Sequence, residues 1–423
     1  MRDRLRVAIV SRAVHPLHGV GGLERHVADL ARHLARRSTD VTLITRPPHD
    51  ATMTAESAAI AIGEGAPVTV TFIPYTTFPF AGRRGTTVLD RSTAYPLFGL
   101  RAGREAARLA ASGAIDVVHG LGASVLGYAL SPAALRARVP LVLNPQGLEE
   151  FGGTGRRFAG RRLKQVGYAP LRWAVRACAN RAASVIATDR SIAPSVERYL
   201  HVPASRLATI PNAVDLDLCD SLAGPADGYH MRRFVPAAAD YILVSVGRIE
   251  QNKGFHVMAE ALSRLRERSW FWVLIGDGPY RPILQRQIES LGLADRVRLM
   301  GRTSHEELHA WYEAADVFVH PTLYEGSSLV TLEAMAHRRP VVATTAGGLP
   351  DKVHPGVTGW LVPPGDAAAL HSAINDAMSQ RDHLAALGNA GRALVEREFS
   401  WETVAERTIE LYRTILRRGA RPS

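Results

Sequence analysis

Residues 241–268 read YILVSVGRIEQNKGFHVMAEALSRLRER, and this stretch decides the fold class of the chain. Its first six residues, Tyr241–Val246, form a largely apolar run that is typical of a buried strand. A loop with two glycines follows, and from Phe255 to Arg268 apolar residues recur at the spacing of an amphipathic helix. A strand that leads through a glycine loop into such a helix predicts a unit of a parallel sheet.

The same alternation of strands and helices continues on both sides of this stretch. Downstream, strands are predicted at residues 271–275, 297–300, 317–320, 341–343 and 360–362, with a helix that begins at Ser328. Upstream, strands are predicted at residues 6–10, 41–45, 68–73, 115–119, 141–143 and 184–187, with a first helix over residues 22–36. Two such series predict two Rossmann-like, doubly wound α/β domains that face a cleft, with ligands at the carboxyl ends of the strands.

The length of the chain agrees with two domains, because 423 residues exceed what one compact core usually holds. Residues 213–239 are rich in Asp, Gly, Pro and Ala and show no clear periodicity, so we expect a linker there. The predicted organisation is an N-terminal domain, a linker, a C-terminal domain and a final helix, over residues 1–212, 213–239, 240–400 and 401–423.

Composition and charge narrow the class of protein. No apolar run approaches the ~20 residues that cross a bilayer, and the run after the first residues is too short for a signal peptide, so we expect a cytoplasmic protein. Cys178 and Cys219 lack the spacing of a disulfide framework or a zinc site, so no metal site is expected. Residues 1–212 hold 28 Lys and Arg against 14 Asp and Glu, which predicts an anionic partner for the first half.

The strongest local signal is EGSSLVTLEAMAHRRPVVATTAGG, residues 325–348. Glu325 lies after a predicted strand, Ser327 or Ser328 can cap the next helix, and Glu333 lies in its first two turns. Free N–H groups at a helix N-terminus bind phosphate, and the flanking carboxylates can accept hydrogen bonds from sugar hydroxyls. The alternative is a solvated Glu325 and a Glu333 that pairs with a nearby arginine.

A second signal is VGRIEQNKGF, residues 246–255, at the end of the strand quoted first. Arg248 and Lys253 lie five residues apart in its loop, where two cations can neutralise a diphosphate leaving group. The alternative is a pair of surface cations. Near the N-terminus, HGVGG at residues 18–22 matches neither a GxGxxG fingerprint nor a Walker A loop, so NAD and ATP binding lose support.

Taken in order, these segments resemble the large family of retaining GT-B glycosyltransferases that use nucleotide-sugar donors, of the family-four or group-one type. The resemblance covers almost the whole chain. Its segments are GVGGLERHVADLARHL, DVVHGLG, IPNAVD, VGRIEQNKG, IGDGP, LMGR, EGSSLVTLEAMA, TGWLVPPGD and FSWETVAERTIELY. The resemblance implies that the last helix crosses back onto the first domain, which generally receives the acceptor.

The resemblance also implies roles for individual residues. Arg248 and Lys253 would hold the donor diphosphate, and Glu333 would bind the ribose. Glu325 would contact the donor sugar. The implied site has further members, namely the backbone of Gly326, Ser327, Ser328 and Leu329, the cleft glycines Gly21 and Gly22, Arg302 in the base-binding segment, and His119 beside the transferring sugar. The chain departs from the family pattern at Ser327-Ser328, where Phe-Gly is frequent, and at Asn212-Ala213, where Asn-Gly is frequent.

The implied reaction is transfer of a hexose-type sugar from a UDP- or GDP-linked donor to an acceptor hydroxyl, with retention and without an obligatory metal. The alternatives are an epimerase or phosphorylase of the same fold, or an inactive binding protein. Nucleic acid is not an expected partner, because no recognition motif is present.

The acceptor is expected to be a small molecule or a lipid-linked one. Residues 151–188 alternate arginines with bulky apolar residues and contain no acidic residue, which predicts contact with an anionic membrane at its inner face. The alternative is a solvated arginine-rich helix with Trp173 in the core.

Overall fold

The computed structural model describes residues 4–19, 21–48, 50, 52–76, 87–146, 148–151 and 166–420. The chain divides into two compact units. Unit 1 comprises Met1–Pro211 together with Val404–Ser423, and unit 2 comprises Asn212–Thr403. The final helix therefore belongs almost entirely with the first part of the chain.

Unit 1 contains a seven-stranded parallel sheet in the order β3-β2-β1-β4-β5-β6-β7. The strands are β1 (Leu5–Val10), β2 (Thr39–Thr45), β3 (Val68–Phe72), β4 (Val117–Leu121), β5 (Leu141–Asn144), β6 (Ser184–Ala187) and β7 (Leu207–Thr209). The helices are α1 (Gly22–Arg36), α2 (Ala55–Gly63), α3 (Thr87–Ala111), α4 (Leu126–Ala129), α5 (Pro132–Ala137), α6 (Ala169–Arg181) and α7 (Ala193–Leu200). Strand residues such as Val7, Ile9 and Val118 are fully buried, as expected for a sheet covered by helices.

Unit 2 contains a six-stranded parallel sheet in the order β10-β9-β8-β11-β12-β13. The strands are β8 (Tyr241–Val246), β9 (Trp270–Ile275), β10 (Val297–Gly301), β11 (Val317–His320), β12 (Val341–Thr344) and β13 (Gly359–Val362). The helices are α8 (Leu216–Leu222), α9 (Pro225–Arg232), α10 (Phe255–Ser263), α11 (Arg281–Ser290), α12 (His305–Ala314), α13 (Leu329–Ala336), α14 (Ala367–Ser379) and α15 (Arg381–Leu394). The chain ends in α16 (Trp401–Ala420).

Strands β8 and β11 are neighbours, and their carboxyl ends lie at the same edge of the sheet. The loops that follow them are in close contact. Gly254, in the loop after β8, has φ +70°, and a Cβ on it would overlap the carbonyl oxygen of Pro321. Only a glycine allows the two loops to approach in this way.

Three elements differ from the sequence-based expectations. Strand β4 begins and ends two residues later than predicted, so His119 lies in the middle of the strand, opposite Ile9. Helix α10 ends at Ser263 rather than at Arg268.

The segment expected to be an irregular linker contains α8 and α9. The side chain of Asp215 caps α8, while Asp227 accepts the backbone N–H of Gly224 at the start of α9, so local capping forms helices that lack apolar periodicity.

Within the described part of the chain, no helix combines the length and the hydropathy that a membrane crossing requires.

Candidate functional site

A charged cluster in unit 2 lies where β8 and β11 end. Lys253 Nζ donates to Glu325 Oε2 at 2.8 Å, and His320 Nε2 lies 2.9 Å from the same oxygen. His320 is the last residue of β11, and Lys253 closes the short turn Gln251–Lys253 after β8. The side chains of Lys253 and Glu325 are only 22% and 12% exposed. The two loops therefore bring together a cation and an anion that lie 72 residues apart in sequence.

Backbone hydrogen bonds hold these two loops in register. Leu323 N donates to Asn252 O at 2.8 Å, and the Thr322 hydroxyl donates to the same oxygen at 3.2 Å. The position of Lys253 relative to Glu325 is thus set by the backbone as well as by their mutual attraction.

The protonation states within the cluster follow from burial and charge. Burial alone would raise the pKa of Glu325, but the hydrogen bond from His320 and the positive charge of Lys253 outweigh it and hold the pKa of Glu325 well below its usual range. Burial lowers the pKa of His320 despite its contact with Glu325. His320 is therefore neutral and donates its Nε2–H to a carboxylate anion, and Lys253 is the counterion.

The turn that carries Glu325 leads directly into α13. Gly326 N donates to Glu325 Oε1 at 3.1 Å, and Ser328 Oγ accepts from Thr331 N, so Ser328 is the N-cap of the helix. One turn further on, Glu333 is 7% exposed and accepts a hydrogen bond of 2.8 Å from the Tyr312 hydroxyl. The two glutamates thus flank the N-terminus of one helix.

A buried lysine, Lys352, supports the same turn. Lys352 is fully buried, and its Nζ lies 3.2 Å from both Ser327 Oγ and the carbonyl oxygen of Gly348, with the Phe399 ring centroid at 5.6 Å. Gly348 N in turn donates to Gly326 O at 2.9 Å. No motif marks Lys352, and its only signal in the sequence is that it is one of three lysines.

Arg248 and Arg302 lie on the surface. The Arg248 side chain is 69% exposed, and its Nε contacts Glu250 Oε1 at 3.0 Å within the same loop. Arg302 is exposed just after β10. Among the described residues, neither arginine contacts the Lys253–Glu325 pair, so the structure brings together only part of the predicted donor-binding residues.

Unit 1 contains a cavity of about 230 Å³ at the carboxyl ends of its central strands. Its lining includes Ser11 and Arg12 after β1, Leu121 and Gly122 at the end of β4, Pro145 and Gln146 after β5, and Leu23, Arg91, Tyr95 and Glu150.

The Tyr95 hydroxyl donates to Leu121 O at 2.9 Å and accepts from Ala123 N at 3.1 Å. The Arg12 guanidinium lies 4.7 Å from the Tyr95 ring centroid. Tyr95 is thus fixed by two hydrogen bonds at the edge of the cavity, and its ring contacts the guanidinium of Arg12.

The remaining predicted residues of unit 1, Gly21, Gly22 and His119, are not among the residues that line this cavity. Gly21 is the N-cap of α1 and Gly22 is its first residue, and both are exposed. His119 is 1% exposed and is not among the residues that line the cavity. Its Nδ1 contacts the Tyr412 hydroxyl of α16, and burial lowers the pKa of His119 to about 3. This placement differs from the expected strand-end position because β4 continues for two residues beyond His119.

Two family profiles match the chain. The profile described as Glycosyltransferase Family 4 matches residues 20–218, and the one described as Glycosyl transferases group 1 matches residues 230–394. D-inositol 3-phosphate glycosyltransferase of Xylanimonas cellulosilytica is 30% identical over 420 residues, which are 96% of each chain. GDP-mannose-dependent alpha-(1-6)-phosphatidylinositol monomannoside mannosyltransferase of Mycolicibacterium smegmatis is 31% identical over 62% of this chain and 72% of its own.

Solved structures show the same fold. Sucrose-phosphate synthase of Thermosynechococcus elongatus is similar with a TM-score of 0.73 at 24% identity, over 98% of this chain and 100% of its own. The HepE protein of Anabaena in complex with UDP-glucose is similar with a TM-score of 0.69 at 22% identity, over 97% and 100%. These similarities confirm the predicted two-domain α/β fold of the GT-B type.

The contacts of Lys352 predict that it holds the turn at residues 325–328 in place. Lys352→Met removes the ammonium that joins Ser327 to Gly348. Loss of a hydrogen bond that contributes about 1 kcal/mol makes local opening, and with it amide exchange, roughly fivefold faster. We expect this increase at Gly326–Ser328 and Gly348, measured by hydrogen–deuterium exchange. Arg248→Met, which removes an exposed cation of the same unit, is the control and should leave that exchange unchanged. Unaltered exchange in Lys352→Met would contradict the assignment.

Proposed function

The chain belongs to the group 1 and family 4 glycosyltransferases, and on that premise we propose that it is a retaining hexosyltransferase whose nucleotide diphosphate donor binds in unit 2. The observation that carries this proposal is the contact of Lys253 and His320 with Glu325 on the loops after β8 and β11. An ammonium, a carboxylate and a helix N-terminus lie together at the ligand-binding edge of a parallel sheet.

Each group of this cluster has a chemical role in the proposal. Lys253 has three N–H donors, of which Glu325 accepts one, so the ammonium can also donate to a phosphate oxygen. It would stabilise the charge that develops on the departing diphosphate. Glu325, an anion, would accept hydrogen bonds from the donor sugar, and Glu333 would accept those of the ribose. The exposed Arg248 would add a second cation from the loop after β8.

The low basicity of Glu325 argues against a reaction in which this carboxylate is the general base. An efficient general base has a pKa near the working pH, whereas Lys253 and His320 hold the pKa of Glu325 well below its usual range. Glu325 is therefore a weak base and is poorly suited to deprotonate the acceptor. In our proposal, an oxygen of the departing diphosphate takes that proton on the same face of the sugar, and the new bond forms there. Proton NMR of the product anomer, compared with that of the donor, tests this stereochemistry.

The donor base is either uracil or guanine in this proposal. The mycobacterial relative is named for GDP-mannose, and the Anabaena neighbour was solved with UDP-glucose. Thermal stabilisation by a panel of UDP- and GDP-linked hexoses tests the choice, because a ligand at 100 times its Kd contributes about 2.7 kcal/mol. If no member of the panel stabilises the protein, the proposed donor class is wrong.

Substitutions should separate the roles of the cluster and of Glu333. Lys253→Ala should lower kcat on the order of 100–1,000-fold, because it removes a donor to the developing charge. Glu333→Ala should mainly raise the KM for the donor, because ribose contacts change little between the ground and transition states. Both parameters come from steady-state kinetics at saturating acceptor, with folding checked by circular dichroism. Arg264→Ala, which removes an exposed cation of unit 2 paired with Glu260, is the control. Turnover near wild type in Lys253→Ala would refute the donor site.

The acceptor, in the same proposal, binds in the cavity of unit 1 and carries an anionic group. Two arginines, Arg12 and Arg91, and one glutamate, Glu150, line this cavity, so its cations are in excess, and Arg12 lies over the Tyr95 ring. The two relatives are named for acceptors that both contain phosphate, D-inositol 3-phosphate and phosphatidylinositol monomannoside. A guanidinium donates two parallel hydrogen bonds to such a group.

Arg12→Met tests the acceptor proposal. With D-inositol 3-phosphate as the acceptor probe, we expect the acceptor KM to rise at least about tenfold, because a charge-assisted hydrogen bond contributes about 1.5–3 kcal/mol. Slow hydrolysis of the donor without acceptor should be unchanged, since that reaction does not use the cavity. Arg108→Met removes an exposed arginine of the same unit and should have no effect. An equal KM in wild type and Arg12→Met would exclude Arg12 from acceptor binding.

Peripheral binding to an anionic membrane, where a lipid-linked acceptor would lie, is also part of the proposal. Five of the basic residues that suggested it lie outside the described residues, namely Arg156, Arg157, Arg161, Arg162 and Lys164. In the described part, Trp173 of α6 is 57% exposed and Val166 is 70% exposed, while Leu171 is buried. Trp173 is thus outside the core and available to an interface.

Co-sedimentation with vesicles that contain acidic lipid tests membrane binding. Wild type should pellet at low salt and be released at high salt, because each cation near the surface contributes only about 1 kcal/mol. Trp173→Ala should reduce the pelleted fraction, whereas Tyr229→Ala, which removes an exposed aromatic ring of unit 2, should not. Equal pelleting with neutral lipid would argue for a soluble acceptor.

A further inference from the structure

Three buried side chains of unit 2 form a cluster that the proposed reaction does not use. Cys219 of α8, His309 of α12 and His337 after α13 each place one sulfur or ring nitrogen within 4.8 Å of the other two. Their exposed fractions are 4%, 1% and 1%. Ninety residues separate Cys219 from His309, so the spacing of cysteines and histidines in the sequence gives no sign of this cluster.

The chemistry of the cluster matches one class of ligand. One thiolate and two imidazoles are a donor set that zinc accepts readily in proteins. Metal-bound histidines usually donate their second ring N–H to a carboxylate, which orients the ring. His337 has such a partner, because its Nδ1 lies 2.6 Å from Glu313 Oε1 and Glu313 is itself paired with Arg339. This contact directs Nε2 of His337 towards His309.

We propose that Cys219 Sγ, His309 Nδ1 and His337 Nε2 bind one zinc ion with a structural role in unit 2. Binding replaces the thiol proton of Cys219 with the metal, so one proton leaves for each ion bound. Three protein ligands leave one position of a four-coordinate zinc ion open.

The two nitrogens now lie 2.7 Å apart. Two zinc–nitrogen bonds of about 2.0–2.1 Å at a tetrahedral angle would separate His309 Nδ1 from His337 Nε2 by roughly 3.3 Å. Zinc binding therefore requires the two rings to move apart by roughly 0.6 Å.

Tyr312 would connect the metal site to Glu333 of the proposed donor site. The Tyr312 ring lies 5.6 Å from that of His309 and stacks on that of His337 at 5.8 Å, while its hydroxyl donates to Glu333. A metal that holds α8, α12 and the end of α13 together would restrict Tyr312 and thereby orient Glu333. The proposal of the metal site itself stands without the proposed reaction, because its readout is metal content.

Metal binding by the intact chain tests the proposal directly. Protein purified without a polyhistidine tag and treated with a chelator is titrated with Zn²⁺, and the bound metal is measured by mass spectrometry after gel filtration. We expect about one ion per chain and a rise in Tm on binding. Co²⁺ as a substitute should give the near-ultraviolet charge-transfer band of a cobalt–thiolate bond. Binding without this band would place the metal on other residues and would overturn the proposal.

Variants connect the binding to the three residues. Cys219→Ser should abolish the cobalt band, and Glu313→Gln should weaken zinc binding about 10–100-fold by releasing His337. Cys178→Ser is the matched control, because Cys178 is the buried cysteine of unit 1 and should not contribute. If Cys219→Ser does not fold, the wild-type titration still decides. A wild type that retains less than about 0.1 ion per chain, or unchanged binding in Cys219→Ser, would refute the site.

Discussion

The salt bridge between Lys253 and Glu325 is the interaction on which the arrangement of unit 2 depends. A carboxylate that is almost buried needs a partner, and removal of one member of such a pair leaves an uncompensated charge. The pair joins the loops that follow β8 and β11, and the neutral His320 donates a second hydrogen bond to the same carboxylate. The same anion also accepts a hydrogen bond from Gly326 N, two residues before Ser328, the N-cap of the helix that carries Glu333. Glu325 therefore contacts both the loop after β8 and the turn that leads into α13.

A second lysine supports this arrangement from the opposite side of the turn. Lys352 reaches Ser327, where the resemblance implies that Phe is frequent, and the carbonyl of Gly348. A hydroxyl at Ser327 can accept from an ammonium, which a phenylalanine ring does not do in the same way. The polar residue in the turn and the buried cation beneath it are thus complementary. Ser327 and Lys352 together hold the turn at residues 325–328 in place.

Much of the fold could be predicted from periodicity, because buried parallel strands and amphipathic helices leave regular patterns. Strands β8 and β11 and helix α1 follow directly from such patterns. The sequence narrows the cap of α13 to Ser327 or Ser328, and the structure has Ser328 there. The nearness of Lys253 and Glu325 follows from the meeting of strand ends at one edge. His320, Lys352 and the Cys219 cluster could not be predicted, since each depends on side chains distant in sequence. The sequence predicts His119 at the end of its strand, whereas β4 continues to Leu121, because an apolar run does not show where a strand ends.

The return of α16 to unit 1 makes unit 2 an insertion within unit 1. The chain leaves unit 1 after Pro211 and rejoins it at Val404, so Tyr412 reaches its place beside His119 only after all of unit 2 has been synthesised. Domains usually complete their folding in the order of synthesis, but here the unit that begins first is finished last. The sheet of unit 1 is therefore synthesised first, but its packing around His119 is completed only when residues 404–420 are available. Removal of α16 would therefore leave the buried His119 of unit 1 without its Tyr412 partner, although the two residues lie far apart in sequence.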